Sequence, residues 1–432
     1  MKVRKRSLLY TLLFPIVWLA AKVFYRKFKV EGKENFPKDG PVIVVSNHQN
    51  GLMDPVMCCL SSPRQLHFLT RADVFKKPFI RAIITRLNMM PVYRPHDRVE
   101  NMTEKNEFIF NHCIERLEKG ACIALFPEGN HSNKYTIRPM KKGLARMVYR
   151  SIEKNPELAN IKIVAMGIHY SDYTDFREDF TIRISEPIDL KDWLTEHPNS
   201  PSNQKLLMDK VKTKLETVAL HIAPKNYYDY LYTFAKHMEN KGEDWHLIKS
   251  RVDEYPCMYD TLKEEDQISM WTSATAAISS HKIQWKDMSA GREPDFWSWA
   301  RIVALAPLAA LGYLVFALPC FLTQRIVSKN IKDSHFTSSF KMVFGLLLLP
   351  TFALLYGLLV GYLFGWIAFV IFMIAAVLSG LVALKHHDYA EEIRGNNRRT
   401  QIRKSHPHVI LEFYNWVESM NKAIIKKNHE KI

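Results

Sequence analysis

The sequence predicts an α/β domain with a largely buried sheet, joined to helical membrane segments. Between Lys29 and about Ile222, short β-branched runs alternate with stretches of helical spacing. Three apolar blocks, Leu8–Tyr25, Ile302–Leu322 and Met342–Leu384, are long enough to matter to a bilayer, which takes about 20 apolar residues per crossing helix. The 60 Lys and Arg outnumber the 44 Asp and Glu, giving a net charge of +16, and many of these cations flank the apolar blocks. Such a surplus suits a polyanionic partner: nucleic acid, an anionic membrane surface or a phosphorylated substrate.

Taken in order, Met1–Arg6 is basic and precedes the first apolar block, which runs into Arg26-Lys27-Phe28-Lys29 with no small-residue cleavage site. It reads as a retained anchor and not a removed leader. The strand expectations are Val42–Val45, Leu66–Leu69, Cys122–Phe126, Ile161–Ile168 and Thr181–Ile184. Helical spacing appears in Phe108, Ile109, Cys113, Ile114, Leu117 and again in Leu207, Val211, Leu215, Val218, Ile222. Pro224–Pro294 is polar, aromatic-rich and mostly helical in period, with no chemistry assigned to it. Ile302–Leu322 contains Pro307 and Pro319, and basic residues flank both it and the first block, so re-entry or an interfacial position competes with crossing. Met342–Leu384 carries no charge, is long enough for two helices, and has Gly361 and Gly365 near its middle, so it reads as a transmembrane hairpin. Arg325, Lys329, Lys332 and Lys341 before it and the Arg394-to-Lys404 cluster after it put both of its ends on the cytoplasmic side. The six cysteines show no metal-ligand spacing and mostly sit in apolar stretches, as reduced core residues do.

Two strand ends carry the candidate chemistry. Val42–Val45 leads into Ser46-Asn47-His48-Gln49-Asn50-Gly51-Leu52-Met53-Asp54-Pro55. A histidine just past the carboxyl end of a buried strand stands where open α/β sheets bind ligands, and imidazole takes protons near neutral pH. Asp54 can then fix the tautomer and stabilise the imidazolium, with a substrate hydroxyl as nucleophile. The bland alternative makes Asp54-Pro55 an N-cap and N1 pair opening a helix over Val56–Leu60. Cys122–Phe126 leads into Pro127-Glu128-Gly129-Asn130-His131-Ser132, a turn that offers backbone N–H groups and a carboxylate. Arg138, Lys141 and Lys142 follow as cations suited to phosphate, or as a merely solvated basic face.

These segments together resemble the glycerophospholipid acyltransferase family. His48…Asp54 matches the family's first block, Met90-Pro91-Val92-Tyr93-Arg94 its second, Phe126-Pro127-Glu128-Gly129 its third and Val164-Ala165-Met166-Gly167-Ile168 its fourth. The resemblance implies a mixed sheet flanked by helices. It implies His48 as general base, Asp54 as its partner, and acceptor-phosphate contacts from Arg94, Glu128 and Gly129; the charge of Arg138 and Lys141 suits them to a secondary cationic rim. Five residues, not the commoner four, separate His48 from Asp54; Asn88 stands where glycine is usual, and Met166 where proline is. The wider spacing, the Met-Pro-Val-Tyr-Arg form with Asp97, and Arg138-Pro139-Met140-Lys141-Lys142-Gly143 look more like the glycerol-3-phosphate/dihydroxyacetone-phosphate branch. The implied reaction moves a fatty acyl group from acyl-CoA or acyl-carrier protein onto a glycerol-phosphate hydroxyl at a membrane, with no cofactor and no metal. A lysophosphatidate or other lysolipid acceptor is the alternative.

Other classes fit less well. There is no zinc spacing or aromatic-basic motif for nucleic acid, and no Gly-x-Ser-x-Gly elbow for an esterase. The expected organisation is an anchor at 1–28, the catalytic domain at 29–223, a polar helical region at 224–298, a membrane region at 299–384, and a basic cytoplasmic tail at 385–432. The whole is expected to be an integral membrane protein with its catalytic domain on the cytoplasmic face.

Overall fold

The β-branched runs become strands because each must bury side chains on both faces of one sheet. In the computed structural model, which describes residues 7–94, 97, 99–222, 228–240, 243, 245–258, 272, 276 and 295–430, the strands are β1 (Lys27–Glu31), β2 (Val42–Ser46), β3 (Leu66–Arg71), β4 (Met90–Val92), β5 (Cys122–Leu125), β6 (Lys162–Tyr170), β7 (Asp179–Ile184) and β8 (Ile188–Asp189). They form one sheet in the order β1-β7-β6-β2-β5-β3-β4, with β8 also on β6. The β2, β3, β4 and β5 pairings and β2 with β6 are parallel, whereas β7 and β8 run antiparallel to β6. The sheet is therefore mixed and flanked by helices; α3 (Pro78–Arg86) follows β3 in the chain and α6 (Lys191–Glu196) follows β8.

Alternation along β2 divides the core. Ile43 and Val45 face α4 (Met102–Glu118), α5 (Gly143–Lys154) and α7 (Pro201–Glu216) through Cys113, Leu117, Val148, Val211 and Leu215. Val42 and Val44 face the opposite layer, made by the end of α1 (Leu8–Phe24) and by α2 (Met53–Ser61), through Ala21, Phe24, Met53 and Met57. Burying a Leu- or Met-sized side chain stabilises by roughly 1.5–3 kcal/mol, so the two layers hold the central strands firmly. The α1 helix has a second character: Leu8, Leu12, Ile16 and Leu19 are exposed on it. Its 17 residues span about 26 Å at 1.5 Å each, short of the ~30 Å hydrocarbon layer.

Asn88 and Met166 show what the two unusual positions do. Asn88 has φ +64°, a left-handed conformation that glycine adopts freely and that asparagine tolerates better than most residues. Met166 is fully buried in β6, between Ser46 of β2 and Ile184 of β7.

The chain divides into two compact units, Met1–Leu220 with Gln324–Leu346, and His221–Thr323 with Leu347–Ile432. Among the described residues, three helices are long and apolar enough to cross a membrane: Phe296–Asn330, Ser334–Phe364 and Trp366–Ser405. The last two meet at Gly365, whose φ of +90° ends one helix and begins the next. Within the second unit the apolar helices pack through small residues. A Cβ at Gly312 would collide with the Ser379 carbonyl, and one at Gly361 would lie 2.9 Å from the Phe369 side chain. Close approach of this kind is what small residues permit where lipid removes the hydrophobic drive between helices. Tyr362, Phe364 and Trp366 are exposed around the Gly365 turn, the aromatic composition of a membrane–water boundary.

Of the polar region 224–298, the described part includes α8 (Tyr228–Asn240) and α9 (Trp245–Met258); most of the remainder lies outside the described residues. The 385–432 stretch is helical through Glu430, and its Phe413 and Trp416 are fully buried, with Trp416 edge-on to Phe234 of α8.

Candidate active site

Neighbouring parallel strands β2 and β5 end side by side, with Val45 opposite Leu125, so the loops that follow them meet. Asn47 continues the ladder with its side chain: Nδ2 donates to the Ile168 carbonyl at 2.9 Å, and Oδ1 accepts from the Ile168 N–H at 2.7 Å. That lock fixes the next residue, His48. Its Nδ1 lies 2.8 Å from Asp54 Oδ2, its side chain 13% exposed and that of Asp54 fully buried. With Nδ1 committed to a carboxylate, Nε2 is the nitrogen left to face a substrate.

Asp54 is held from every side. Its Oδ2 also accepts from the backbone N–H groups of Gln49 and Asn50 at 2.7 and 2.8 Å, and its Oδ1 accepts from the Tyr170 hydroxyl at 2.7 Å. A buried carboxylate with that many donors has its hydrogen-bonding capacity met and is rigidly placed. The five-residue separation thus closes into a tight ring about the carboxylate. The helix does not begin with an Asp54 cap over Val56–Leu60; it begins at Met53, whose N–H donates to Asn50 Oδ1 at 3.0 Å. The Asp54 carboxylate is turned back to the loop because His48 and the two loop N–H groups compete for it and win.

The β5 side supplies the brace. The Phe126 ring stacks on the His48 imidazole with centroids 3.9 Å apart and planes within 8°. The turn closes with the Gly129 N–H donating to the Phe126 carbonyl at 3.0 Å, and Gly129 has φ +80°. A Cβ there would also press on the end of Lys141 at 2.7 Å. Glu128 points inward: Oε1 accepts from the His48 N–H at 3.2 Å, and Oε2 accepts from Arg138 Nε at 2.8 Å. Burial pushes the Glu128 carboxyl up, and the Arg138 guanidinium and the His48 N–H pull it partly back. Arg138 and Arg94 then converge on Asn130, Arg138 donating to its carbonyl and Arg94 Nη1 to its Oδ1 at 3.2 Å. Arg94 Nε makes no hydrogen bond among the described residues.

The structure therefore gathers His48, Asp54, Arg94, Glu128, Gly129, Arg138 and Lys141 around the ends of β2 and β5. Glu128 and Arg138 are occupied with each other, whereas Arg94 keeps part of its guanidinium unpaired. Several neighbours were not singled out from the sequence. Tyr170 closes β6 four residues past Met166, and Phe126 precedes Pro127. Ser338 and Ser339 come from the far end of the chain. Ser339 Oγ donates to Asn50 Oδ1 at 2.7 Å, Asn50 Nδ2 donates to Ser338 Oγ at 2.8 Å, and Ser338 Oγ donates to the Tyr173 carbonyl at 2.8 Å. The Gly51 N–H donates to the His335 carbonyl at 3.0 Å, and the Phe336 ring fills the space a Gly51 side chain would need. The loop between His48 and Asp54 is thus clamped by a segment some 285 positions downstream.

A buried carboxylate–imidazole pair at the carboxyl ends of parallel strands, beside an arginine, has the chemistry to activate a hydroxyl next to an anion. Residues 27–169 match the acyltransferase family model, and this stretch is an acyltransferase-family domain. The chain is 21% identical over 298 residues to glycerol-3-phosphate O-acyltransferase 1 of Saccharomyces cerevisiae, covering 50% of this chain and 39% of that one. It is 30% identical over 131 residues to a chloroplastic 1-acyl-sn-glycerol-3-phosphate acyltransferase of Arabidopsis thaliana, covering 29% and 34%. It thus spans between a third and two-fifths of the length of these two relatives. A crystal structure of the 1-acyl-sn-glycerophosphate acyltransferase of Thermotoga maritima superposes with a TM-score of 0.36 at 21% identity, over 48% of this chain and 78% of that one.

Proposed function

We propose that this protein transfers a fatty acyl group from a thioester donor, acyl-CoA or acyl-carrier protein, to a hydroxyl of glycerol-3-phosphate or dihydroxyacetone phosphate. The observation that carries the reading is the His48–Asp54 pair, held by four donors on one buried carboxylate. In the reaction, His48 Nε2 takes the acceptor's hydroxyl proton as its oxygen attacks the thioester carbonyl. Asp54 stabilises the imidazolium, which returns the proton to the departing thiolate. Arg94, with Lys141 and Arg138 near it, holds the acceptor phosphate so that the hydroxyl faces His48. The phospholipid-synthesis reading is supported by the relatives' names. The Arabidopsis relative is named for a 1-acyl-sn-glycerol-3-phosphate acceptor, which keeps lysophosphatidate as the second reading.

The test is an assay of the full chain in detergent with labelled glycerol-3-phosphate, dihydroxyacetone phosphate and lysophosphatidate, each against both donors. Glycerol-3-phosphate or dihydroxyacetone phosphate should turn over fastest; turnover of none of the three removes the reading. In the same assay Arg94→Ala should raise the acceptor KM and lower kcat/KM by about 10- to 100-fold, the size of one lost charge-assisted contact of roughly 1.5–3 kcal/mol. Arg94→Lys should recover part of this, since a point charge lacks the two-pronged guanidinium geometry. An unchanged acceptor KM in Arg94→Ala takes Arg94 out of the site.

The membrane arrangement belongs to the same proposal: the protein is integral, and its catalytic domain faces the cytoplasm with the donor. Positive residues flank the hairpin on both sides, and the turn at Gly365 carries aromatics but no charge. Single cysteines placed beside Lys341 and Lys385 in a cysteine-free background should both react with an impermeant reagent only after the membrane is opened. A residue placed at the Gly365 turn should react from the outside. Opposite sidedness for positions 341 and 385 would overturn the hairpin.

A further inference from the structure

Beside His48 stands a second group of donors that the acyl-transfer chemistry leaves unused. The His131 ring lies edge-on to His48 with centroids 5.6 Å apart, and on its other side stacks against His335 at 4.3 Å and 14°. His335 is backed by a carboxylate: its Nδ1 is 2.8 Å from Asp333 Oδ1, which also accepts the His335 N–H at 3.0 Å. That leaves His335 Nε2 buried with no hydrogen-bond partner among the described residues. A carboxylate oxygen and an imidazole nitrogen in contact, with a second imidazole stacked beside them, bring together the oxygen and nitrogen donors that zinc takes. His131, Asp333 and His335 each place a donor atom within 4.8 Å of the others.

The geometry points to a divalent transition-metal site formed by His131, Asp333 and His335 at the mouth of the active site, whose occupation inhibits the enzyme. Two imidazoles and one carboxylate suit zinc, which takes nitrogen and oxygen donors at about 2.0–2.2 Å. Their donor atoms lie within 4.8 Å of one another, and the Asp333 side chain is half-exposed. The inhibitory effect follows from position: a dication one ring away from His48 disfavours the imidazolium that must form when the acceptor hydroxyl is deprotonated. This consequence rests on the acyl-transfer reading; the metal binding does not.

The experiment is isothermal titration of zinc chloride into the purified full chain in detergent, with an acyl-transfer assay across the same zinc range. One zinc ion per chain is expected, with loss of turnover that a chelator reverses. His335→Ala and Asp333→Asn, neither of which touches His48, should each weaken zinc binding by about 10- to 100-fold and relieve inhibition in parallel. Asp333→Asn, on an exposed turn, guards against a folding defect in His335→Ala. Absence of zinc binding by the unmodified chain, or equal binding by both variants, overturns the site. Zinc binding without inhibition overturns the coupling to His48, whereas a chain that binds zinc but transfers no acyl group bears on the proposed function and not on the metal.

Discussion

His48→Ala should lower kcat by about 10²–10⁴ while leaving the fold and membrane insertion intact. General-base catalysis supplies an effect of that size, and no other group among those described stands in for Nε2. His131 stands edge-on to His48 at 5.6 Å, but burial and the neighbouring His48 and His335 hold it down to about 4, too weak a base for the role. The fold should survive because the side chain's partners are satisfied without it. Asp54 keeps the Gln49 and Asn50 N–H groups and the Tyr170 hydroxyl, and Phe126 keeps Phe68 at 5.5 Å. Circular dichroism and a detergent melting curve should match the parent while turnover of the preferred acceptor collapses. Near-normal turnover in His48→Ala would refute the mechanism.

Asp54→Asn should reach a comparable loss in kcat by a different route. The equivalent change in a serine-protease triad costs about 10⁴, because an amide neither stabilises the imidazolium nor holds the productive tautomer. Here the carboxylate takes four donors on two oxygens, and an amide offers one acceptor oxygen and one NH₂. If the oxygen stays with His48 and the loop N–H groups, the NH₂ faces Tyr170, whose hydroxyl can turn to accept. The fold is then kept, and the charge is lost. Acceptor KM should move little, which separates this variant from Arg94→Ala. Asp54→Ala removes all four acceptances, leaving buried donors that cost about 1–3 kcal/mol each, so it should lose stability as well as rate. Equal activity of Asp54→Asn and the parent would exclude the pair as the catalytic unit.

The central strands were readable because burial on both faces demands continuous β-branched runs, as in Val42–Val45 and Ile161–Ile168. The edge strands were not: Lys27–Glu31 is charged and half-exposed, and Met90–Val92 is three residues long with a proline inside. At the site, His48, Asp54 and the Pro127-Glu128-Gly129 turn were readable because each follows a strand and local order carries them. The inward turn of Glu128 toward Arg138 and His48 was not, because a carboxylate in a glycine turn looks the same whether it faces solvent or a buried N–H. Least readable was the grip of Ser338 and Ser339 on Asn50. Serines opening a helix read as ordinary helix-start residues, and nothing in their neighbourhood signals a partner 288 or 289 positions earlier.

That grip also sets a clock. A ribosome adds about 5–20 residues per second, and domains form as their residues emerge. The 119 positions from Leu220 to Ser339 therefore separate the last α/β segment from the serines that complete the His48 loop by roughly 6–24 s of synthesis. Through that interval Asn50 lacks its serine partners and Gly51 lacks the Phe336 ring, while the first apolar helix after the α/β domain is still being delivered. The active site is therefore a late product of translation, finished when the chain has already begun to meet the bilayer.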